Sequence, residues 1–334
     1  MLTGCSAMVA LMASVSLAQE PVYQKLLKVP GASDGLSFTG SVTADLVTGE
    51  ILVTDVRNNR ILIFDSAGIF RFQINGGDVF GAPLDVAVDP QGFLLVVASY
   101  QGRRALIELD FDGLFLRAID LKSIPEGMPE PGFDSIALSP SGERIYVLDR
   151  RNLLLWISDR TGEVQAVTDL AEGLSEEDRI NVILRHVDAY ADTVLIPFAR
   201  TGQVGLFGPE GKPRLRVGRK GAGPCNLGLP AASAMDDDGN LLIIDQQRNM
   251  IVRWSVEDNR CLGDYYGLGA APGYLYYPSD LALDGQGRLY VGQGFEGRVQ
   301  VYDGLRPAAG WNRVEPYLPP EDPAPSEQHE SPPG

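Results

Sequence analysis

Short apolar runs broken by polar turns, rather than long amphipathic periods, set the pattern of this chain. Within residues 49–65, the apolar run 51–53 is too short for a helix, the polar stretch 55–59 supplies a turn, and 61–64 is again rich in β-formers. The stretch reads as a hairpin, and it recurs with variation five more times. Aligned on Asp55, the matching positions are Ser99, Asp149, Ala199, Asp245 and Gln293, at spacings of 44, 50, 50, 46 and 48 residues. A period in that range belongs to propeller blades.

A small-residue strand and a turn precede most of these hairpins, at 85–92, 135–142, 232–239 and 280–287, each closing on a glycine. Small residues suit an innermost strand, because the inner strands of a propeller converge on a central channel. An outer strand follows each hairpin, at 69–74, 114–121, 163–167 and 215–218 among others. The expected fold is therefore all-β, a six-bladed β-propeller of four-stranded blades.

The pattern Asp-x-x-Asn-x-Arg-[Ile/Leu] at 55–61 and the lead-in 267–278, GLGAAPGYLYYP, resemble the NHL-repeat family of propellers over about residues 41–303. Units one, five and six match well. Unit four departs, with a shorter turn at 188–192 and Ala199 in place of the aspartate. The resemblance implies the fold and says little about function, since such propellers include both binding scaffolds and enzymes.

Residues 1–18 are uncharged, carry an apolar stretch at 7–17 and offer Ser16-Leu17-Ala18 as a cleavage site, so they read as a secretory signal peptide lacking a basic start. A lipobox ending on Cys5 competes, although nothing apolar precedes it. The apolar stretch is too short to span a bilayer. The expected organisation is thus a leader at 1–18, a propeller at 19–317 and a disordered proline- and acid-rich tail at 318–334. Secretion or periplasmic export, as a monomer, follows from that reading. Within the mature chain only Cys225 and Cys261 remain, a pair that either bonds or stays free, and no zinc spacing is present.

Two further segments lie outside the regular repeat. Residues 22–29 form a strand that closes the ring as the outer strand of blade six, with 311–318 as the competitor. Ser175 is placed as the N-cap of a short helix in a longer insert between blades three and four. Long loops at 123–133 and 218–230 lead into blades three and five on the same face.

The chain carries a net charge of −16, which argues against bulk nucleic acid and anionic membrane as partners. Only two histidines occur, His186 and His329, so a hydrolase triad or a histidine-rich zinc site has little to draw on. Aligning the inner strands puts Ser41, Asp85, Ser135, His186, Ala232 and Asp280 at the channel mouth. Asp85 and Asp280 are candidate calcium ligands, as in the calcium-dependent lactonase-like propellers, but hydrogen bonding to backbone is the plainer use for them. No cofactor is otherwise expected.

The hairpin turns, on the same face as the blade lead-ins, hold nine arginines: Arg57, Arg60, Arg103, Arg104, Arg150, Arg151, Arg200, Arg248 and Arg298. Aspartates crowd the turns of the opposite face. Too few acids share the arginine turns to pair with all of them, so the expected function is a binding scaffold for a protein, peptide or anionic glycan. Arg57, Arg103, Arg104, Arg150, Arg151, Arg200 and Arg248 are the binding candidates. The alternative is a calcium-dependent lactonase- or lyase-like enzyme at the channel mouth, on Asp85, His186 and Asp280.

Overall fold

The computed structural model describes residues 21–30 and 35–303. Six antiparallel sheets of four strands each make up a six-bladed propeller, with one four-residue helix. Calling the strands a to d from the channel outward, blades one to five occupy residues 39–75, 81–119, 135–169, 188–217 and 230–265. Blade six takes strands a to c from 278–303 and its strand d from the other end of the chain, Val22–Leu26. Val22 pairs with Asp303 and Leu26 with Gln300, so the ring is closed by its first strand, as the sequence pattern predicts. The leader, the competing strand at 311–318 and the tail lie outside the described residues.

Strands b and c carry the core. Ile51–Asp55 and Leu94–Ala98 are fully buried runs, because each central strand is covered on both faces by neighbouring blades. Trp156, Tyr146, Tyr290 and Tyr302 fill the wedges between blades, where aromatic volume is needed most. Blade four has the shortest strand a, Asp188–Tyr190, joined to strand b by two residues. Its hairpin register pairs Phe198 with Gln203, as Asp55 pairs with Arg60. Phe198, not Ala199, is therefore the equivalent of Asp55. Blade two also departs, since Tyr100 pairs with Arg103 across Gln101-Gly102 and its hairpin is tighter than the others.

The aspartates of the lower face, where a–b and c–d turns lie, are turn caps. Asp65, Asp89, Asp110, Asp159, Asp236 and Asp284 each use Oδ1 to accept the backbone N–H groups two and four residues on. Short carboxylates satisfy such turns well. The acid-rich lower face is thus a product of turn geometry repeated around the ring.

The insert between blades three and four contains the helix Glu176–Arg179, capped by Ser175, whose Oγ accepts from Asp178 N. Leu184 and Val187 beyond it are buried against blades three and four. The insert therefore packs into the wedge and delivers the chain to the channel mouth at residues 185–188.

Candidate functional site at the channel mouth

Three of the ring residues clasp one blade to the next. Asp85 Oδ2 accepts from Ile136 N at 3.0 Å, Ser135 Oγ accepts from Val187 N at 3.1 Å, and Asp280 Oδ2 accepts from Val42 N at 2.7 Å. Each side chain reaches a backbone amide at the inner strand of the following blade, one residue past the aligned ring position there. The aligned positions are thus real equivalents, and part of their chemistry is architectural.

Around this clasp Ser135, His186, Asp85 and Asp280 converge. Ser135 Oγ donates to Asp85 Oδ2 at 2.7 Å and lies 3.0 Å from His186 Nδ1. A hydroxyl has one proton, and this one goes to Asp85, so His186 Nδ1 must carry the hydrogen it shares with Ser135. Ser135 then has no free proton or lone pair, and it is buried. Despite the order Asp280, His186, Ser135, the serine is locked in the clasp and is no nucleophile.

His186 Nε2 faces Asp280 Oδ1 at 3.7 Å, and that oxygen is buried without a hydrogen-bond partner among the described residues. Burial pushes the Asp280 carboxyl up to about 7, against the pull of His186. Asp188 is raised to about 6 for the same reason. Burial draws the imidazole down, but the charges of Asp280, Asp85 and Asp188 outweigh it and hold its pKa above the usual value. The four groups form a proton-holding cluster below the mouth.

As a metal centre the cluster is poorly shaped. Among the described residues, the one trio of candidate ligand atoms that lies within a common 4.8 Å belongs to Cys225, Cys261 and Asp264. Those two sulfurs are joined to each other, so Cys225 and Cys261 tie the lead-in of blade five to its outer strand. Asp85 and Asp280 do not meet around a shared point with His186, and Asp85 Oδ2 is already taken by two donors. Calcium, which needs six or more oxygens, would require rearrangement here.

The arginine turns depart from expectation. Arg60 pairs with Asp55, Arg103 with Asp120 at 3.0 Å, Arg248 with Asp264, and Arg104 and Arg150 share Asp134. The acids that were missing from the hairpin turns come from neighbouring lead-in loops and outer strands, 16 to 30 residues away in sequence. Arg298 spends its guanidinium on the carbonyls of Gly269, Ala270 and Tyr274. The inference that these turns lack local acids is corrected accordingly. Arg57 sits over the Phe38 ring at 5.4 Å, and Arg151 and Arg200 are exposed without a carboxylate partner among the described residues.

A residue outside that set stands out. Arg185, one position before His186, is partly buried at the mouth, and its one polar partner among the described residues is the amide oxygen of Gln246, 3.1 Å from Nη2. Burial and the neighbouring charge of Arg150 hold its pKa below the usual arginine value. No carboxylate pairs with it among the described residues. Arg104 and Arg150 share the carboxylate of Asp134, which leaves none for Arg185. The only sequence signal was its adjacency to the ring histidine.

Beyond Gln246, whose Nε2 donates to Pro278 O, lies a run of rings on the same face. Tyr276, Tyr277, Phe295 and Phe38 contact one another in edge-to-face pairs with centroids 4.9, 5.9 and 5.7 Å apart. Phe295 is 65% exposed and Tyr277 45%. The lead-in motif pointed to this loop, but not to its exposure.

These features define a six-bladed β-propeller with its distinctive groups at the mouth on the hairpin face. No protein-family model matches the chain, and no characterised protein matches it by sequence. Solved structures do. A structural genomics protein of unknown function from Bacteroides thetaiotaomicron aligns over 84% of this chain and 72% of its own, with 16% identity and a TM-score of 0.61. A streptogramin B lyase structure aligns over 85% of this chain and 98% of its own, with 13% identity and a TM-score of 0.57. Both likenesses are of fold.

Proposed function

We propose that this protein is an exported, NHL-like binding propeller that takes an anionic ligand at the channel mouth, between Arg150 and Arg185. One observation carries the reading: Arg185 is partly buried beside a second guanidinium and has only an amide for a partner among the described residues. Removing a guanidinium from water without a counter-charge is costly, and a chain rich in acids had every opportunity to supply one. A site that keeps such a charge is built for an anion that arrives from outside, and paired guanidinium forks suit carboxylate, phosphate or sulfate.

The reading predicts an inverse relation between stability and binding. Arg185→Gln removes the unpaired charge and is expected to raise the melting temperature by a few degrees. Sulfate, added at constant ionic strength, should stabilise the wild type and leave the variant unmoved. A variant that is less stable, yet still stabilised by sulfate, would contradict the assignment.

A second reading, lactonase- or lyase-like chemistry at the mouth, draws on His186 and the unpartnered Asp280 Oδ1, which could hold and release a proton beside a bound anion. Calcium titration followed by thermal shift and metal analysis tests its metal-dependent form. A stoichiometric ion supports it, and none bound removes that form.

A further inference from the structure

Tyr277 stands at a position where the scaffold itself demands an unusual backbone. It has φ of 47° and precedes Pro278, and its N–H is held by Asn249 Oδ1 at 2.7 Å. Blade two repeats the arrangement: Ala82 has φ of 42°, precedes Pro83 and is held by Asn59 Oδ1 at 2.7 Å. The left-handed turn is therefore architectural, and alanine suffices to make it. Blade six places a tyrosine there instead, and the ring projects into solvent against Phe295. A bulky side chain at positive φ costs free energy, and this one stays 45% exposed. The scaffold does not explain it.

Resting on the anion site proposed above, we infer that the ligand is an oligosaccharide carrying a single uronic acid, with its carboxylate on Arg150 and Arg185 and its neutral sugar rings on Tyr277, Phe295 and Phe38. Four observations select this class. The path is continuous, because Gln246 bonds both Arg185 and the carbonyl of Pro278, and the rings touch in sequence from Tyr277 to Phe295 to Phe38. Tyr277 and Phe295 expose ring faces to the C–H face of a pyranose, the half-buried Phe38 continues the row with Arg57 beside it, and the hydroxyls of Tyr276 and Tyr277 have no partner among the described residues to compete with sugar hydroxyls. The platform is made of turns and offers no strand edge along which a peptide could pair. The charge of the chain favours one carboxylate over many: with a net −16, a polyanion would be repelled over most of the surface.

The test uses calorimetric titration of the mature protein with aldotriouronic acid, xylotriose, free glucuronate, sulfate and a synthetic peptide of residues 315–326. Aldotriouronic acid is expected to bind at least about tenfold more tightly than glucuronate, equivalent to about 1.4 kcal/mol, and xylotriose far more weakly than either. Tyr277→Ala with Phe295→Ala should bring the trisaccharide down to the level of glucuronate and leave sulfate affinity unchanged, and Ala82 shows that the backbone accepts alanine there. Arg185→Gln should abolish binding of all the acids. A trisaccharide no tighter than glucuronate, or indifferent to the double variant, overturns this inference while leaving the anion site standing. Tighter binding of the acidic proline-rich peptide overturns it in favour of a peptide. Sulfate and glucuronate both failing to bind would sink the anion site and this inference together.

Discussion

At the scale of single residues, the recurring Asp-x-x-Asn-x-Arg pattern is a device for fastening the lead-in of each blade. Asp55 takes the amides of Ser37 and Phe38 while binding Asn58 and Arg60, and Asp149 takes the amide of Gly132 and binds Asn152. Asp245 accepts from Gly228 N, Leu229 N and Arg248 N, and Gln293 does the same for Tyr276 N. The repeat was legible because this job is local and recurs in blades one, three, five and six. Arginine pairing was not legible, because Asp120, Asp134 and Asp264 reach the turns from lead-in loops and outer strands that only the closed ring brings near. Arg185 left no pattern at all, since it occurs once. From the fastening role, Asp245→Ala should cost about 2–4 kcal/mol in chemical denaturation, because three donors lose a buried acceptor together. A loss under about 1 kcal/mol would mean that water replaces the carboxylate and that the motif is dispensable.

Among elements, closure by Val22–Leu26 decides whether the ring holds. The strand covers strand c of blade six, Arg298–Asp303, which would otherwise be an open edge over the buried Val299, Val301 and Tyr302. Leu27, just past the strand, is buried with Val42, Leu62 and Val301, so it joins blade six to blade one. Leu27→Ala is therefore expected to cost about 2–4 kcal/mol, like a site deep inside a blade. Urea denaturation measures this directly, and a near-zero effect would show that the closing segment adds pairing without core. The strand was legible as a strand from its apolar pattern, and the need to close an edge gave it its partner. Blade four was harder. Its hairpin follows a two-residue turn after Tyr190 and is displaced by one position from the repeat spacing. Phe198 stacks with Phe207 where blades one, three and five place a capping carboxylate, so packing there takes the place of that hydrogen bonding.

For the whole molecule, two asymmetries follow from the ring. One is charge. The lower face is acidic because its turns are capped by aspartate, while the arginines of the upper face are mostly neutralised by acids from adjoining loops, leaving a surplus at the channel mouth. The other is protonation. Asp280 at about 7 and Asp188 at about 6 lie above the usual carboxylate value, so the native state binds protons that the unfolded chain releases. That contribution is full near pH 4 and falls as the pH rises through 7. His186, also raised, adds stability that is present below about 6.5 and is lost as pH rises through its folded pKa. All three act in one direction, so the protein should be more stable at pH 5.5 than at pH 8, by about 1–3 kcal/mol. Asp280→Asn, which keeps an acceptor for Val42 N, should flatten most of that slope. A melting temperature that rises from pH 5.5 to 8 would show that the cluster is not protonated as described.

The anion site at the mouth is the point on which the functional account turns, and it can be seen directly. Crystals of the mature protein grown or soaked with selenate, with data collected at the selenium edge, locate any bound oxyanion by its anomalous signal. The account predicts a well-occupied peak between the guanidinium groups of Arg150 and Arg185, absent in crystals of Arg185→Gln. Selenate peaks confined to lattice contacts or to Arg151 and Arg200, with the wild-type mouth empty, would contradict it.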